Sequence, residues 1–448
     1  MKTDILVIGG SAAGLVSAMT AKSGYPEKEV TIIRKEEIVM IPCGIPYIFG
    51  SVKTSEKNIL TDAGLKSMGV NIIIDEVIDI NKENKTCKTK KGDLIEYDKL
   101  IITTGSQPVI PGWLHGKLLK NVFVIPKEKD YLDDFHKKLE NLNNIVTVGA
   151  GFIGLEVSDE LNKIGKKVTL VEILPRVLGL AFDEEFATEA ELLLNERGVK
   201  INTGAGIKEI LGKDKVEGVL LNSGEIIEAD AVILSLGYVP NVELAKKAGL
   251  KLNEFGFIEV DQYRRTSVKD IFAAGDCSEK RDFSTGKLSK TMLASTACAE
   301  ARVAAMNLYK LSTVKTFRGT IGIYFTAIGN TAFGVAGLNE AAASAEGFDI
   351  VTGSFTGIDR HPGKLDDAHK QTVKLIVSKE NGLILGGEVL GGKSAGELTN
   401  VIGFMIQNNM TVNDVIVSQI GTHPMLTASP AGYPLIKAAE MVAKKLKS

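Results

Sequence analysis

The stretch Val39-Met40-Ile41-Pro42-Cys43-Gly44-Ile45-Pro46-Tyr47 sets one cysteine between two prolines with a glycine behind it. Pro42 and Pro46 each fix φ near about −65°, and Gly44 admits close backbone approach. A thiol held this way, just ahead of a helix start, would feel unpaired backbone N–H groups that stabilise a thiolate and lower its pKa. An isolated cysteine is equally at home as a small buried apolar side chain. The company Cys43 keeps decides between nucleophile and filler.

Its nearest neighbours in the chain form a strand, turn and helix. Ile5-Leu6-Val7-Ile8 reads as a short apolar strand, followed by Gly9-Gly10-Ser11-Ala12-Ala13-Gly14, a small-residue helix over 15–23 and a strand over 30–33. This is the βαβ unit of a dinucleotide-binding fold, with a pyrophosphate expected at the helix N-terminus. The middle glycine position is Ser11, and the strand-end position that usually carries a ribose-binding acid is Arg34, with Glu36 and Glu37 beyond it. A glycine-rich turn of some other α/β protein would look similar.

The unit then recurs. A strand over 144–148 leads into Gly149-Ala150-Gly151-Phe152-Ile153-Gly154, an intact G-x-G-x-x-G. A helix over 155–164 follows, Gly165 serves as its C-cap, and the strand over 168–171 ends at Glu172. A carboxylate there accepts hydrogen bonds from both hydroxyls of an adenosine ribose and repels a 2′-phosphate, favouring NADH. Arg176 lies close enough to soften that preference, so NADPH stays open.

Two fingerprints imply two dinucleotides or one duplicated domain. Leu100-Ile101-Ile102-Thr103-Thr104-Gly105 is a strand ending in a small polar turn, and 231–237, ending in Gly237, repeats it. Ile271-Phe272-Ala273-Ala274-Gly275-Asp276 is a further strand, set before a small-residue helix over 294–307. Asp276 is placed either to bind a ligand hydroxyl or to act as an ordinary N-cap.

Composition sets the class. With 448 residues there is room for two or three domains, and 44% hydrophobic content with 24% charge describes an ordinary globular protein. A net charge of −2 with mixed signs points to neither nucleic acid nor an anionic membrane as partner. Cys43, Cys87, Cys277 and Cys298 lie far apart, with no metal-ligand spacing and no disulfide framework. No apolar run approaches the roughly 18 residues of a membrane span, and no signal-peptide layout opens the chain. The expected compartment is a reducing cytoplasm. Cys277 and Cys298 read as structural small residues, and Cys87 as a surface strand position.

On residues 9–14, 103–105, 149–154 with Glu172, and 272–276, the chain resembles the flavoproteins of the pyridine nucleotide–disulfide oxidoreductase family over nearly its whole length. The resemblance implies an α/β architecture: two Rossmann-like dinucleotide-binding domains, for FAD and NAD(P)H, plus an α+β C-terminal dimerisation domain. The implied layout is 1–115 and 243–316 for FAD, 116–242 for NAD(P)H, and 317–448 for the interface of a homodimer. FAD contacts are implied at the first turn (Gly9, Gly10, Ser11, Ala12, Ala13, Gly14), at Arg34 and Lys35, and at Pro42 and Val77. They are also implied at Thr103, Thr104 and Gly105, at Gly275 and Asp276, and at Ala294, Thr296 and Ala297. For the nicotinamide cofactor the implied positions are Gly149, Gly151, Phe152, Ile153, Gly154, Glu172 and Gly237.

Dithiol members carry C-x-x-x-x-C, but the residue five after Cys43 is Ile48. The Cys-Gly-Ile-Pro-Tyr run is similar to the single-cysteine branch: coenzyme A disulfide reductases, polysulfide and persulfide reductases, NADH oxidases and NADH peroxidases. The resemblance makes Cys43 the redox centre, cycling as thiolate, mixed disulfide with coenzyme A, or sulfenic acid. Val39 stands where coenzyme A reductases usually show Ser. Ser11-Ala12-Ala13 lacks the His that peroxidases carry, so a peroxidase is disfavoured. No appended sulfurtransferase domain is expected.

From about 317 the pattern turns to strands and hairpins, with a hairpin over 371–389 turning at Lys379-Glu380-Asn381-Gly382 and helices over 394–407 and 433–445. His423-Pro424 matches the dithiol branch's His-Pro motif, with Ala428 or Ser429 where its orienting Glu would fall. His423 is therefore a candidate acid–base group or a loop residue satisfied by backbone. Tyr433 is a candidate partner-chain hydroxyl near the thiol, or simple packing; His361 reads as a surface turn residue.

The expected function is NADH-dependent, flavin-mediated reduction of a disulfide, persulfide or polysulfide engaged by Cys43. An NADH oxidase acting on dioxygen is the alternative enzyme. A non-catalytic sensor of nicotinamide status is the alternative of another class, excluded by steady NADH consumption.

Overall fold

A computed structural model describes residues 1–311 and 317–447; the expected boundary at 316 lies outside the described residues. The apolar runs around Ile5, Ile32 and Ile101 show no inside–outside alternation, the pattern of strands covered on both faces. Strand Lys2–Ile8 lies parallel between Val30–Arg34 and Leu94–Ile102, with Asn71–Ile74 beside Val30–Arg34. Ile271–Ala273 returns from late in the chain to pair in parallel with Leu94–Ile102. The hairpin Val77–Asn81 and Thr86–Thr89 extends the sheet antiparallel.

A second, five-stranded parallel sheet runs Val122–Val124, Ala231–Leu234, Asn144–Val148, Lys167–Val171, Lys200–Asn202. A short antiparallel ribbon, Ser106–Pro108 with Tyr238–Pro240, ties together the two crossings between the sheets. The third sheet is antiparallel throughout, in the order Ile323–Ile328, Thr331–Gly337, Ile384–Gly391, Lys370–Ser378, Ile350–Ile358.

Along Thr331–Gly337 the side chains divide by parity. Ala332 and Ala336 face the helices Ser394–Gln407 and Pro434–Leu446. Phe333 and Val335 face the second sheet's helices, where Phe333 meets Phe182 edge-on at 6.2 Å. Polar contacts reinforce this seam. Lys374, 3% exposed, pairs with Asp183 at 2.8 Å and with Glu185 and Glu340, while the Asp183 amide donates to Glu388.

Ile45, Ile48 and Phe49, which follow the cysteine, join the same core as Phe135, Leu155 and Phe333. Each is at most 2% exposed, so burial fixes the segment by about 1.5–3 kcal/mol per side chain. Cys87 corrects the expectation of a surface position. It is 0% exposed, because its hairpin alternates and it faces Ile80 and Ile95 while Lys88 faces out. Cys277 is buried and Cys298 half-buried. His361 is half-buried, with Nδ1 3.0 Å from the Thr427 carbonyl. No helix among the described residues is long and apolar enough to cross a membrane.

Candidate active site

Helix Ala12–Gly24 starts at Ser11 and helix Phe152–Lys163 at Gly151, both extended N-caps with no side-chain cap and no acid in the first turn. Their first N–H groups are therefore left for a ligand. Both ends open on one cavity of about 1350 Å³, walled by Ser11, Ala12, Ala13, Gly149 and Gly151 among others. Unpaired N–H groups at helix starts suit the pyrophosphates of FAD and NAD(P)H.

The glycines are required by close approach. A Cβ on Gly14 would lie 1.8 Å from the Gly9 carbonyl oxygen, and one on Gly154 would lie 1.9 Å from that of Gly149. Gly9 itself, at φ +111°, would meet the Thr103 carbonyl at 2.2 Å. A Cβ on Gly10 would strike Arg34, whose buried guanidinium forks onto Asp62 at 2.7 and 2.8 Å and donates to the Glu36 and Glu37 carbonyls. Arg34 thus packs its side chain against Gly10 while its bonds run to Asp62 and to the 36–37 loop. Lys35 pairs with Glu128 at 3.1 Å, and Val77 is buried in its hairpin.

Thr103 Oγ1 donates to the Ile8 carbonyl and Thr104 Oγ1 to that of Asn241, locking the strand end that leads to Gly105. Gly275 and Asp276 line the cavity. The following helix begins at Ala294, where it was expected, with Leu293 at its N-cap, so Asp276 is not its cap. Its carboxylate accepts from Ser106 Oγ at 2.7 Å and Lys127 Nζ at 3.0 Å. Burial raises its pKa, but Lys127 and Ser106 prevail and hold it below the ordinary carboxylate value. Ala294 and Ala297 are on the wall, whereas the Thr296 hydroxyl bonds with Thr320 at 2.7 Å.

On the second turn, Phe152 and Ile153 line the cavity, as does Gly237 at φ +91°. Glu172 accepts from the Ala150 amide at 2.6 Å and the Leu174 amide at 2.9 Å. It therefore organises the turn, and each oxygen retains a lone pair for a ribose hydroxyl. Arg176 is engaged by Glu184 at 3.0 Å and Glu191 at 3.4 Å.

The thiol lines the same cavity as the two turns. Pro42–Gly44 and Pro46–Phe49 are two consecutive 3₁₀ turns rather than the start of an α-helix. Gly44 is required by Asn58, whose Oδ1 would lie 1.9 Å from a Cβ. Cys43 is exposed on the cavity wall beside Pro42 and Tyr47. Its thiol is pushed up, by desolvation first and then by Glu156, while Lys127 opposes. The expected lowering by a helix start is not realised, because a 3₁₀ turn presents no column of free N–H groups.

Sequence reasoning missed four polar groups here: Glu156, Tyr47, Lys127 and Ser106. Glu156 is 8% exposed, and burial pushes its carboxyl up to about 7; Glu160 adds to this, and the hydroxyls of Thr326 and Tyr47 oppose it. The one available signal was an acid flanked by Leu155 and Val157 directly after a glycine turn. His423 and Tyr433 do not line this cavity in the single subunit. His423 is exposed, its Nδ1 accepting from the Met425 amide at 3.2 Å, and Tyr433 caps helix Pro434–Leu446.

A family model described as pyridine nucleotide-disulphide oxidoreductase matches residues 3–301, and one for the dimerisation domain of that family matches 323–431. The chain is 31% identical to an NADH oxidase of Methanocaldococcus jannaschii, covering 98% of this chain and 99% of that one. It is 29% identical to an NAD(P)H coenzyme A polysulfide/persulfide reductase of Pyrococcus horikoshii, over 99% of each. The solved NAD-dependent persulfide reductase of A. fulgidus superposes with a TM-score of 0.91 at 28% identity, covering 100% of this chain and 84% of that one.

Proposed function

The chain belongs to the pyridine nucleotide-disulphide oxidoreductase family, and from that premise we propose that it carries electrons from NADH through FAD to a disulfide, persulfide or polysulfide engaged by Cys43. The family makes it a flavin-dependent NAD(P)H oxidoreductase. One observation carries the finer reading: the Cys43 thiol opens onto the cavity that both uncapped glycine turns share. The names of the Pyrococcus horikoshii and A. fulgidus relatives agree with it.

The first turn, Asp276 and the Thr103–Gly105 strand end would hold FAD; the second turn and Glu172 would hold NADH. Bound flavin supplies two-electron transfer between nicotinamide and sulfur. Cys43 attacks the sulfur–sulfur bond, forming a mixed disulfide and releasing one thiolate; two electrons originating from NADH then cleave that mixed disulfide. Coenzyme A is the carrier thiol to look for on Cys43. The matched dimerisation domain supports a homodimer, in which His423 and Tyr433 would serve the partner's cavity.

Cys43→Ser tests the reading. NADH-dependent disulfide and polysulfide reduction should be lost, while anaerobic bleaching of the flavin by NADH survives; unchanged turnover refutes the thiol mechanism. A second reading, an NADH oxidase, is favoured by the Methanocaldococcus relative's name. Oxygen uptake compared with anaerobic disulfide reduction separates the two.

A further inference from the structure

Asp183 stands at the N-cap of helix Glu184–Glu196, in the extended conformation that suits a capping carboxylate, yet its side chain makes no cap bond. Both oxygens turn to the third sheet's domain instead. Oδ1 accepts the Glu340 amide at 2.9 Å, and Oδ2 lies 2.8 Å from Lys374 Nζ. The Asp183 amide donates to Glu388 Oε1 at 2.7 Å. Asp183, Lys374 and Glu388 are all buried. On strand Lys370–Ser378, Val373 and Leu375 face the helices of their own domain, while Lys374 points the other way, to Asp183. A local cap is thus given up for a contact between domains. A buried ion pair adds little net stability over apolar packing, but it fixes one arrangement.

What this pair fixes is the end of the segment that runs from Glu172 to Asp183. Leu174, Arg176, Leu178 and Ala181 line the cavity along it. Its start is held by Glu172, which accepts the Leu174 amide, and by the Gly204 amide, which donates to the Leu174 carbonyl at 2.8 Å. Its middle reaches back to the second glycine turn. The Leu178 amide donates to the Ala150 carbonyl at 2.9 Å, with Leu178 at φ +54°, an uncommon conformation for a leucine. The Ala150 amide in turn donates to Glu172. The Ala181 and Phe182 amides both donate to the Leu178 carbonyl, so one tight bend joins Leu178 to Asp183. Bonds therefore run without a gap from Lys374 to the turn and the acid that face the cavity, although Lys374 itself is not on its wall.

We propose that Lys374, on the matched dimerisation domain, is a positioning residue for NADH: through Asp183 it keeps the 173–182 segment fastened to the second glycine turn and so sets the affinity for the dinucleotide. The role rests on the second turn and Glu172 as the NADH site.

The test is anaerobic stopped-flow bleaching of the flavin-loaded enzyme over a range of NADH concentrations, which separates half-saturation from the limiting rate and needs no electron acceptor. In Lys374→Met, half-saturating NADH should rise about 3–30-fold while the limiting rate stays close to the wild type's. Asp183→Asn keeps an oxygen for the Glu340 amide and loses the charge, and should shift half-saturation in the same direction. The double variant should be no weaker than the weaker single one, because both changes cut one link. A merely structural ion pair would lower the thermal midpoint and leave half-saturation where it was; that result, at full flavin content, overturns the proposal. Shifts that simply add would overturn the path through Asp183. Should Lys374→Met not fold, unchanged half-saturation in Asp183→Asn would decide against it. Glu172→Ala, measured alongside, reports separately on the NADH site: weakened binding there beside an unaffected Lys374→Met refutes the role of Lys374 and leaves the site assignment standing.

Discussion

Ser51 donates its hydroxyl to Glu160 at 2.7 Å, joining the segment that carries Cys43 to the helix that opens the second glycine turn. Glu160 is 4% exposed and also takes the Ser51 amide, so its removal strands two donors. Glu160→Ala should cost about 1–3 kcal/mol. The thermal midpoint should fall by several degrees, and trypsin should cut faster after the exposed Lys53 and Lys57. Cleavage at the wild-type rate would show that apolar burial alone seats the segment.

The two glycine turns should fail in different ways. Gly14→Ala forces a Cβ to 1.8 Å from the Gly9 carbonyl, and Gly154→Ala one to 1.9 Å from that of Gly149. Each helix must shift away from its strand, at a cost of about 1–3 kcal/mol or more. The first variant should purify with little flavin absorbance. The second should remain yellow and bleach slowly with NADH. Equal flavin content and equal bleaching in both would contradict the division of labour between the turns.

Glu172 both binds and builds. Its oxygens accept the Ala150 and Leu174 amides, so Glu172→Ala loosens the turn and removes the ribose acceptor together. The KM for NADH should rise about 10–100-fold, or about 1.4–2.8 kcal/mol, with a smaller change in kcat. An unaltered KM would place the ribose elsewhere.

The seam between the second and third sheets should make stability depend on pH. Burial pushes Glu388 up to about 9, from an ordinary value of 4.5. Between those values the folded protein keeps a proton that the unfolded chain has lost. Stability therefore falls as pH climbs, by at most about 1.4 kcal/mol per pH unit from this group. Glu388→Gln carries no titrating proton, so its thermal midpoint should decline less between pH 5 and pH 8 than the wild type's. Parallel declines would assign the slope to other groups.

The glycine turns were legible because close approach of backbones leaves a fixed spacing in the chain. Helix Ser394–Gln407 and the hairpin around Asn381-Gly382 were legible because apolar periodicity and turn chemistry agree there. Glu156, Tyr47, Lys127 and Ser106 were not. They come from four separate segments that meet at one cavity only in the folded chain. Cys87 was misjudged for a related reason: in a short hairpin of mixed residues, one position decides which face is buried.

The shared core of Ile45, Phe49, Leu155 and Phe333 limits how this protein can be taken apart. A chimera that grafts another nucleotide-recognition module onto this scaffold would replace the seat of the thiol as well. To keep a working sulfur centre, the transplant would have to include the cysteine segment, the helix beneath it and the strand face of the third sheet as one block.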